Sequence, residues 1–186
     1  MGKLLYSMII SLDGYVADAN GNFDWAQPTE DALTVTNDEM SNVGTFLYGR
    51  RMYEMMAVWE TDPEVAAQSP ESARFAETWC ATDKIVYSRQ LESTHTARTE
   101  LVREFDPAEV TALKDTREHD LTVDGSTLAA EAFRHDLIDQ IMVLVCPVTV
   151  GFGLAFWPKQ RLNLELRQMR SFRGGVVYLS YDLLRH

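Results

Sequence analysis

Three turns in the chain carry residue types that commonly bind phosphate groups. They are Gly49-Arg50-Arg51, Ser88-Arg89 and Gly125-Ser126-Thr127, and each follows an apolar run that predicts a buried strand. Arginine presents a planar fork of donors that matches phosphate oxygens, and the N–H groups at a helix start lack helical acceptors. If the three strands are parallel neighbours, these turns meet at one edge of the sheet. The set therefore predicts a site for a small anionic ligand.

Each of these turns also has a plainer interpretation. Asp124-Gly125-Ser126-Thr127 is typical of an ordinary strand-to-helix crossover in which Ser126 or Thr127 caps the helix. An arginine taken alone is usually a solvated surface charge. The residues leave both alternatives open, and the coincidence of three turns makes the ligand site and the plainer interpretation equally well supported.

The composition restricts the class of protein and its partners. The chain has 186 residues, 46% of them hydrophobic, and 17 Lys and Arg against 28 Asp and Glu give a formal net charge of −11. This length favours one domain, residues 1–186, and the acidic balance argues against nucleic acid, which needs a basic footprint. No apolar run approaches the roughly 18 residues of a membrane helix. We therefore expect a cytoplasmic protein with no membrane or nucleic-acid partner.

Several common catalytic motifs are missing from the sequence. It contains no G-x-G-x-x-G after the first strand, no G-x-x-x-x-G-K-[ST] and no G-x-S-x-G. The four histidines show neither H-E-x-x-H nor any other paired metal spacing. We therefore predict no metal site.

Apolar periodicity predicts strands that alternate with helices. The predicted strands are Lys3–Ser11, Thr45–Tyr48, Lys84–Tyr87, Glu100–Phe105, Leu121–Val123, Asp139–Cys146, Asn163–Arg170 and Val176–Leu184. A first helix is predicted from Pro28 to about Val43, with Gly44 as its stop. A second should bury the stripe Met52, Met55, Met56 and Trp59 in the core. This alternation is typical of an α/β layer fold with a closing antiparallel hairpin.

Taken together, an ordered set of segments resembles the dihydrofolate reductase-like superfamily. The similarity is greatest to the C-terminal reductase domain of the bifunctional riboflavin-biosynthesis deaminase–reductase and its stand-alone relatives. The segments are SLDGYVAD (Ser11–Asp18), FDW (Phe23–Trp25), LYGRRMYEMM (Leu47–Met56), DKIVYSRQL (Asp83–Leu91), LTVDGSTLAAEAF (Leu121–Phe133), LIDQI (Leu137–Ile141) and PVTVGFG (Pro147–Gly153). The zinc-deaminase signature H-x-E…P-C-x-x-C is absent, so the resemblance concerns the reductase half alone.

The resemblance implies a three-layer α/β fold. Its mixed, mostly parallel sheet would have about eight strands, with helices on both faces, a C-terminal antiparallel hairpin and NADPH lying across the strand ends. It also implies a homodimer. The apolar segments Ile141–Cys146 and Phe152–Trp157 agree with that expectation, because they offer more apolar surface than a small monomer usually buries.

The same resemblance implies roles for individual residues. The nicotinamide would be flanked by Ile9, Val16 and Ala17. The phosphates and the adenosine side would be held by Gly49, Arg50, Arg51 and Met52, and the 2′-phosphate by Ser88 and Arg89. Backbone donors to the pyrophosphate would come from Gly125, Ser126, Thr127 and Leu128.

Two positions depart from the family pattern. Asp124 stands where the family usually has glycine or another small residue, and its carboxylate would repel a pyrophosphate unless it meets a ribose hydroxyl or caps the helix. Met52 stands where the family often has threonine, so one hydroxyl that contacts phosphate is lost.

Reduction of a ketone or imine also needs a proton, and three acids are candidates for its source. Glu30 matches the register of the folate-reducing relatives, in which Trp, three residues and Pro-x-acid place a carboxylate against the substrate; here these are Trp25, Pro28 and Glu30. Asp13 and Asp31 are the other candidates. Each also has a plainer role, Asp13 in a turn beside Gly14, and Glu30 and Asp31 as first-turn acids that stabilise the helix dipole.

These observations predict an NADPH-dependent reductase of a small polar substrate, heterocyclic or carbonyl, with Asp13 and Glu30 as catalytic candidates. The alternative is a non-catalytic nucleotide-binding or interaction domain on the same fold, because a fold does not fix a function.

Overall fold

An eight-stranded, mostly parallel sheet forms the centre of the computed structural model, which describes residues 1–185. His186, which the predicted domain includes, lies outside the described residues. The strands are β1 (Leu4–Ser11), β2 (Tyr15–Asp18), β3 (Val43–Gly49), β4 (Asp83–Tyr87), β5 (Thr99–Val102), β6 (Asp120–Asp124), β7 (Gln140–Cys146), β8 (Gly153–Ala155), β9 (Leu164–Ser171) and β10 (Val177–Leu183). The order in the sheet is β5-β4-β3-β6-β1-β7-β10-β9. The first six of these strands run parallel, whereas β10 is antiparallel to both β7 and β9.

Within residues 1–185, seven α-helices connect or flank these strands. They are α1 (Glu30–Glu39), α2 (Arg50–Met56), α3 (Val58–Thr61), α4 (Pro63–Ala66), α5 (Pro70–Ala81), α6 (Pro107–Thr116) and α7 (Ser126–Arg134). Capping defines several of their starts. The Ser69 hydroxyl accepts from Ser72 N at 3.0 Å ahead of α5, and Asp106 Oδ1 accepts from Ala108 N at 2.8 Å ahead of α6. Both helices begin with proline, which has no N–H to leave unpaired.

Helices cover both faces of the sheet, as the resemblance implies. On one face, Phe133 of α7 and Val110 of α6 pack on Leu121 and Ile141. The opposite face buries α1, α2 and α5, and Trp79 of α5 is fully buried with its indole N–H donating to Tyr48 Oη at 3.0 Å. Burial of a large apolar side chain stabilises a fold by about 1.5–3 kcal/mol, so these two cores hold the three layers together. The predicted α/β fold with its closing hairpin is confirmed.

The predicted first helix is wrong at its C-terminal end. Helix α1 stops at Glu39, a 3₁₀ turn spans Met40–Asn42, and β3 begins at Val43. Gly44 therefore lies inside a strand and does not end a helix. A Cβ atom at this position would lie 2.8 Å from Cβ of His119, so close approach of the chains explains the glycine better than helix termination does.

A second, two-stranded sheet, in which β2 pairs antiparallel with β8, was not predicted from the sequence. Strands of four and three residues are too short to show an alternating pattern. The second predicted helix is also divided, since α2 ends at Met56 and α3 begins at Val58. Along residues 1–185, no helix has both the length and the apolarity needed to cross a membrane.

Candidate functional site

A cleft of about 1850 Å³ opens where the parallel strands end. Gly49 at the end of β3 pairs with Tyr87 of β4, and Tyr48 pairs with Asp124 of β6, so the three turns that follow these strands lie at the same level. The expected meeting of the three turns at one sheet edge is confirmed. Of the residues predicted for cofactor binding, those that line the cleft are Ile9, Val16, Ala17, Gly49, Arg50, Arg51, Met52, Arg89, Asp124, Gly125, Ser126, Thr127 and Leu128.

The start of α7 has the backbone geometry that suits an anion. Gly125 has φ of 95°, a conformation that strains any residue with a Cβ atom. The first helical bond runs from Ala129 N to Gly125 O, so the N–H groups just before Ala129 have no helical acceptor. The hydroxyl of Ser126 is also buried, with no hydrogen-bond partner among the residues described. A buried hydroxyl and free N–H groups at a positive helix end together suit a phosphate.

The two arginine turns supply positive charge on the same side of the cleft. Arg50 pairs with Glu54 at 3.3 Å and Arg89 pairs with Glu104 at 2.9 Å. The Arg89 side chain is 76% exposed. Exposed ion pairs of this kind contribute little stability, and an incoming phosphate can therefore compete for either guanidinium.

Asp124 is a titratable group at the boundary between β6 and the α7 turn. Burial raises its pKa from 3.8 to about 7, and a 2.7 Å hydrogen bond from the Thr122 hydroxyl lowers it in part. Within the described residues, the Asp124 carboxyl accepts from this hydroxyl and not from an N–H group of α7, so it does not cap the helix. At neutral pH the carboxyl is therefore only partly ionised, which weakens the repulsion expected from the sequence.

The opposite wall of the cleft is formed by helices α1, α3 and α5 with the end of α2. Its lining includes Leu33, Thr36, Asn37, Met40, Met55, Met56, Val58, Trp59, Glu71, Ser72 and Phe75. The predicted packing of the methionine stripe against the core is correct for Met52, Met56 and Trp59, which are half-buried against it, and wrong for Met55, which is 40% exposed. All four residues also line the cleft. The stripe lies between the core and the open cleft, so part of its apolar surface stays accessible.

Asp13 and Ser88 do not line the cleft. Their side-chain oxygens accept hydrogen bonds that stabilise turns. Asp13 accepts from the Ser11 hydroxyl at 2.6 Å and from Gly151 N at 2.8 Å. The hydrogen bond from Ser11 is the largest cause that lowers the pKa of Asp13. Ser88 Oγ accepts from Leu91 N at 2.9 Å, so this hydroxyl closes its own turn. The contacts of Asp13 agree with the turn-forming alternative.

Glu30 is exposed and lies outside the cleft lining. Its Oε1 accepts from Glu71 N at 3.0 Å, at the start of α5. A carboxylate at a helix start compensates free N–H groups and the helix dipole. The side chain therefore joins α1 to α5, although the sequence places it in register with a substrate-facing acid. Asp31 is also exposed, one residue further along α1.

Sequence reasoning missed Glu71 and Asn37, which do line the cleft. Glu71 follows Pro70 in the first turn of α5, where an acid is ordinarily explained by the helix dipole. Asn37 has no motif around it. No local pattern marks either residue, because their proximity depends on the packing of α1 against α5.

Comparisons with known proteins relate this chain to a protein family. A model of the family described as the RibD C-terminal domain matches residues 2–179. Among curated proteins, the uncharacterized protein YyaP of Bacillus subtilis strain 168 is 25% identical, and the match covers 96% of this chain and 94% of YyaP.

Solved structures show the same fold at low sequence identity. A protein from Shewanella sp. PV-4 ascribed to riboflavin biosynthesis has a TM-score of 0.75 at 20% identity, over 98% of this chain and 99% of that one. The Thermotoga maritima diaminohydroxyphosphoribosylaminopyrimidine deaminase/5-amino-6-(5-phosphoribosylamino)uracil reductase has a TM-score of 0.65 at 15% identity, over 98% of this chain and 57% of that one. Dihydrofolate reductase from Enterococcus faecalis, complexed with NADP(H), has a TM-score of 0.64 at 14% identity, over 98% and 96% of the two chains.

Proposed function

The chain belongs to the RibD C-terminal domain family, and on that premise we propose that it is an NADPH-dependent reductase of a small polar substrate, heterocyclic or carbonyl. Family membership and the dihydrofolate reductase-like fold confirm the resemblance found in the sequence. The observation that carries the proposal is the buried Ser126 hydroxyl, which has no partner within residues 1–185 and lies at a helix start beside two arginine turns.

The residues of the cleft fit a dinucleotide phosphate. In the proposed complex, Gly125, Ser126, Thr127 and Leu128 hold the pyrophosphate, Gly49, Arg50, Arg51 and Met52 hold the adenosine side, and Arg89 binds the 2′-phosphate. Ile9, Val16 and Ala17 orient the nicotinamide and exclude water from it, since Val16 and Ala17 are buried. When bound, NADPH supplies a hydride, and the protein supplies orientation and electrostatics. The predicted roles of Ser88 in binding and of Asp13 and Glu30 in proton transfer stay predictions.

Binding and turnover distinguish the proposed reductase from a non-catalytic binding domain. Both alternatives allow NADPH to bind, which cofactor fluorescence measures. Only the reductase oxidises NADPH when carbonyl and heterocyclic compounds are added. Tight binding without oxidation across a broad panel would favour the non-catalytic alternative, and no binding at all would count against both.

We expect the protein to prefer NADPH to NADH. The Arg89 guanidinium lies where the 2′-phosphate is proposed to bind, and loss of a charge-assisted hydrogen bond costs about 1.5–3 kcal/mol, or roughly ten- to a hundred-fold in affinity. Fluorescence titration of Arg89→Ala should show that loss for NADPH and little change for NADH. Arg173→Ala is the matched control, because Arg173 is an exposed arginine in the distant β9–β10 turn. Equal affinities for the two cofactors in the unmodified protein would refute this assignment.

We also expect a cytoplasmic homodimer. Phe152 is 69% exposed and Met169 is 66% exposed, which is unusual for large apolar side chains in water. Light scattering at micromolar concentration should give twice the chain mass of 21.1 kDa. A mass that stays at the value of one chain would contradict the dimer.

A further inference from the structure

The wall formed by α1 and α5 carries a carboxylate with a free oxygen. The Glu71 side chain is 18% exposed and lines the cleft. Its Oε2 accepts from Asn37 Nδ2 at 2.7 Å and from an Arg74 guanidinium nitrogen at 3.5 Å. No donor to Oε1 is found within the part of the chain that the structure describes. Glu71 is therefore held in place through one oxygen and can accept from a ligand through the other.

Asn37 fixes this arrangement and adds a second acceptor. Its Nδ2 also donates to the backbone oxygen of Glu71 at 3.1 Å. Both of its N–H groups are thus directed at Glu71, which defines the orientation of the amide. Asn37 is 8% exposed, yet its Oδ1 accepts no hydrogen bond from the residues described. This oxygen is not among the fully buried unpartnered atoms, so it is accessible from the cleft and can accept from a ligand that brings N–H groups.

The charge of this wall is opposite to that of the phosphate-binding turns. The Arg74 guanidinium is shared between Glu71 and Asp38, with which it pairs at 2.7 Å. Arg74 does not line the cleft. Glu30 adds a third carboxylate through its bond to Glu71 N. The basic side chains that line the described cleft are those of Arg50, Arg51 and Arg89, all in the turns after β3 and β4. The α1–α5 wall therefore has a local excess of negative charge and no cation facing the cleft.

We propose that Glu71, oriented by Asn37, is a specificity-determining residue that selects a cationic or N–H-rich group on the substrate and disfavours an anionic one. This inference rests on the proposed function. Trp59 and Phe75, whose rings pack edge-on with centroids 4.8 Å apart, supply an apolar surface next to these acceptors. The Thermotoga maritima protein is named for a phosphoribosyl substrate. The acidic wall of this chain suits an unphosphorylated substrate with a planar apolar body and a nitrogen-bearing end.

Three probes of one shape test the selection of charge. Benzamidine, benzamide and benzoate share a benzene ring and carry a cationic, a neutral and an anionic planar group. Calorimetric titration of the NADPH-loaded protein should show benzamidine binding at least about ten-fold more tightly than benzoate, as expected for a charge-assisted contact. Glu71→Gln should weaken benzamidine binding about ten- to a hundred-fold and remove the discrimination. Glu77→Gln, the same change at an exposed site on the same helix, should leave it intact.

Several results would overturn the proposal. They are absence of benzamidine binding at millimolar concentration, equal affinity for benzoate in the unmodified protein, and full discrimination in Glu71→Gln. The first two need no variant, so a folding defect cannot hide them. If Glu30→Gln weakens benzamidine binding and Glu71→Gln does not, the acid predicted from the sequence is the correct one. NADPH affinity is measured separately, so failure of the proposed function is seen as loss of cofactor binding and not as loss of charge selection.

Discussion

Asp124→Asn is expected to remove a pH dependence of NADPH binding centred on pH 7. In the unmodified protein, burial at the end of β6 raises the pKa of Asp124 to about 7. Above that pH the carboxylate is ionised beside the turn that we propose holds the pyrophosphate, and below it the group is neutral. An anionic cofactor should therefore bind more tightly as the pH falls through 7. Asparagine, which keeps the shape and stays neutral, should bind tightly throughout this range.

The expected gain for Asp124→Asn above pH 7 is about ten-fold, the equivalent of one pKa unit. Fluorescence titrations across pH 7 measure it, and Asp124→Gly should gain affinity in the same direction. The cofactor's own 2′-phosphate titrates near pH 6. That titration is common to both proteins, so it cancels when their affinities are compared. If asparagine weakens binding at every pH, Asp124 is a ligand of the cofactor, and the repulsion argument fails.

The raised pKa of Asp124 also predicts how the stability of the fold depends on pH. Because its pKa is raised from 3.8 to about 7 on folding, the folded state holds the proton more tightly than the unfolded chain does. Ionisation therefore opposes folding: the contribution of Asp124 to stability falls as the pH rises from 3.8 towards 7 and is constant above 7. The shift corresponds to at most about 4 kcal/mol. Asp124→Asn should consequently have the higher Tm above pH 7, with the difference shrinking at acidic pH.

The sequence predicted the sheet edge well because local rules determine it. Apolar β-branched runs give buried strands, and parallel strands bring their carboxyl ends to one edge, so the turns at Gly49, Ser88 and Gly125 had to meet if the strands were neighbours. The helix start after Gly125 follows from the same local chemistry. None of this required knowledge of side-chain packing.

The roles of the acidic residues could not be predicted in the same way, because their hydrogen-bond partners are distant in the sequence. Glu30 bonds to the N–H of a residue 41 positions away, and Asp13 bonds to one 138 positions away. The position of Glu71 in the cleft depends on how α5 packs against α1, which no periodicity encodes. The raised pKa of Asp124 likewise comes from burial by the complete fold.

The small β2–β8 sheet also joins segments that are distant in the sequence, and its pairing depends on Gly153. A Cβ atom at Gly153 would lie 2.0 Å from the backbone oxygen of Ala17 and 2.8 Å from Cα of Asp18. Real Cβ atoms do not approach backbone so closely, so β8 can pair with β2 only while residue 153 is glycine. Strand β2 carries Val16 and Ala17, both buried at the cleft. The position of the segment proposed to flank the nicotinamide therefore depends on this glycine.

Gly153→Ala is thus expected to lower turnover by more than about ten-fold, because an error of about an ångström in the placement of reacting groups has a cost of that order or larger. The overpacked contact should also destabilise the fold by about 1–3 kcal/mol. NADPH affinity should change less, since the α7 turn and the arginine turns are built on other strands. Steady-state rates with a substrate from the panel, together with cofactor titration, separate the two effects.

Gly174→Ala provides a control for loss of stability without a change at the cleft. Gly174 has φ of +81°, and a Cβ atom there would meet nothing within 4 Å. That variant should lose stability and keep its rate, because the β9–β10 turn does not line the cleft. Equal rates for Gly153→Ala and the unmodified protein would mean that β2 tolerates separation from β8. In that case the nicotinamide side of the cleft must be positioned by β1, where Ile9 lies, and not by the Val16-Ala17 segment.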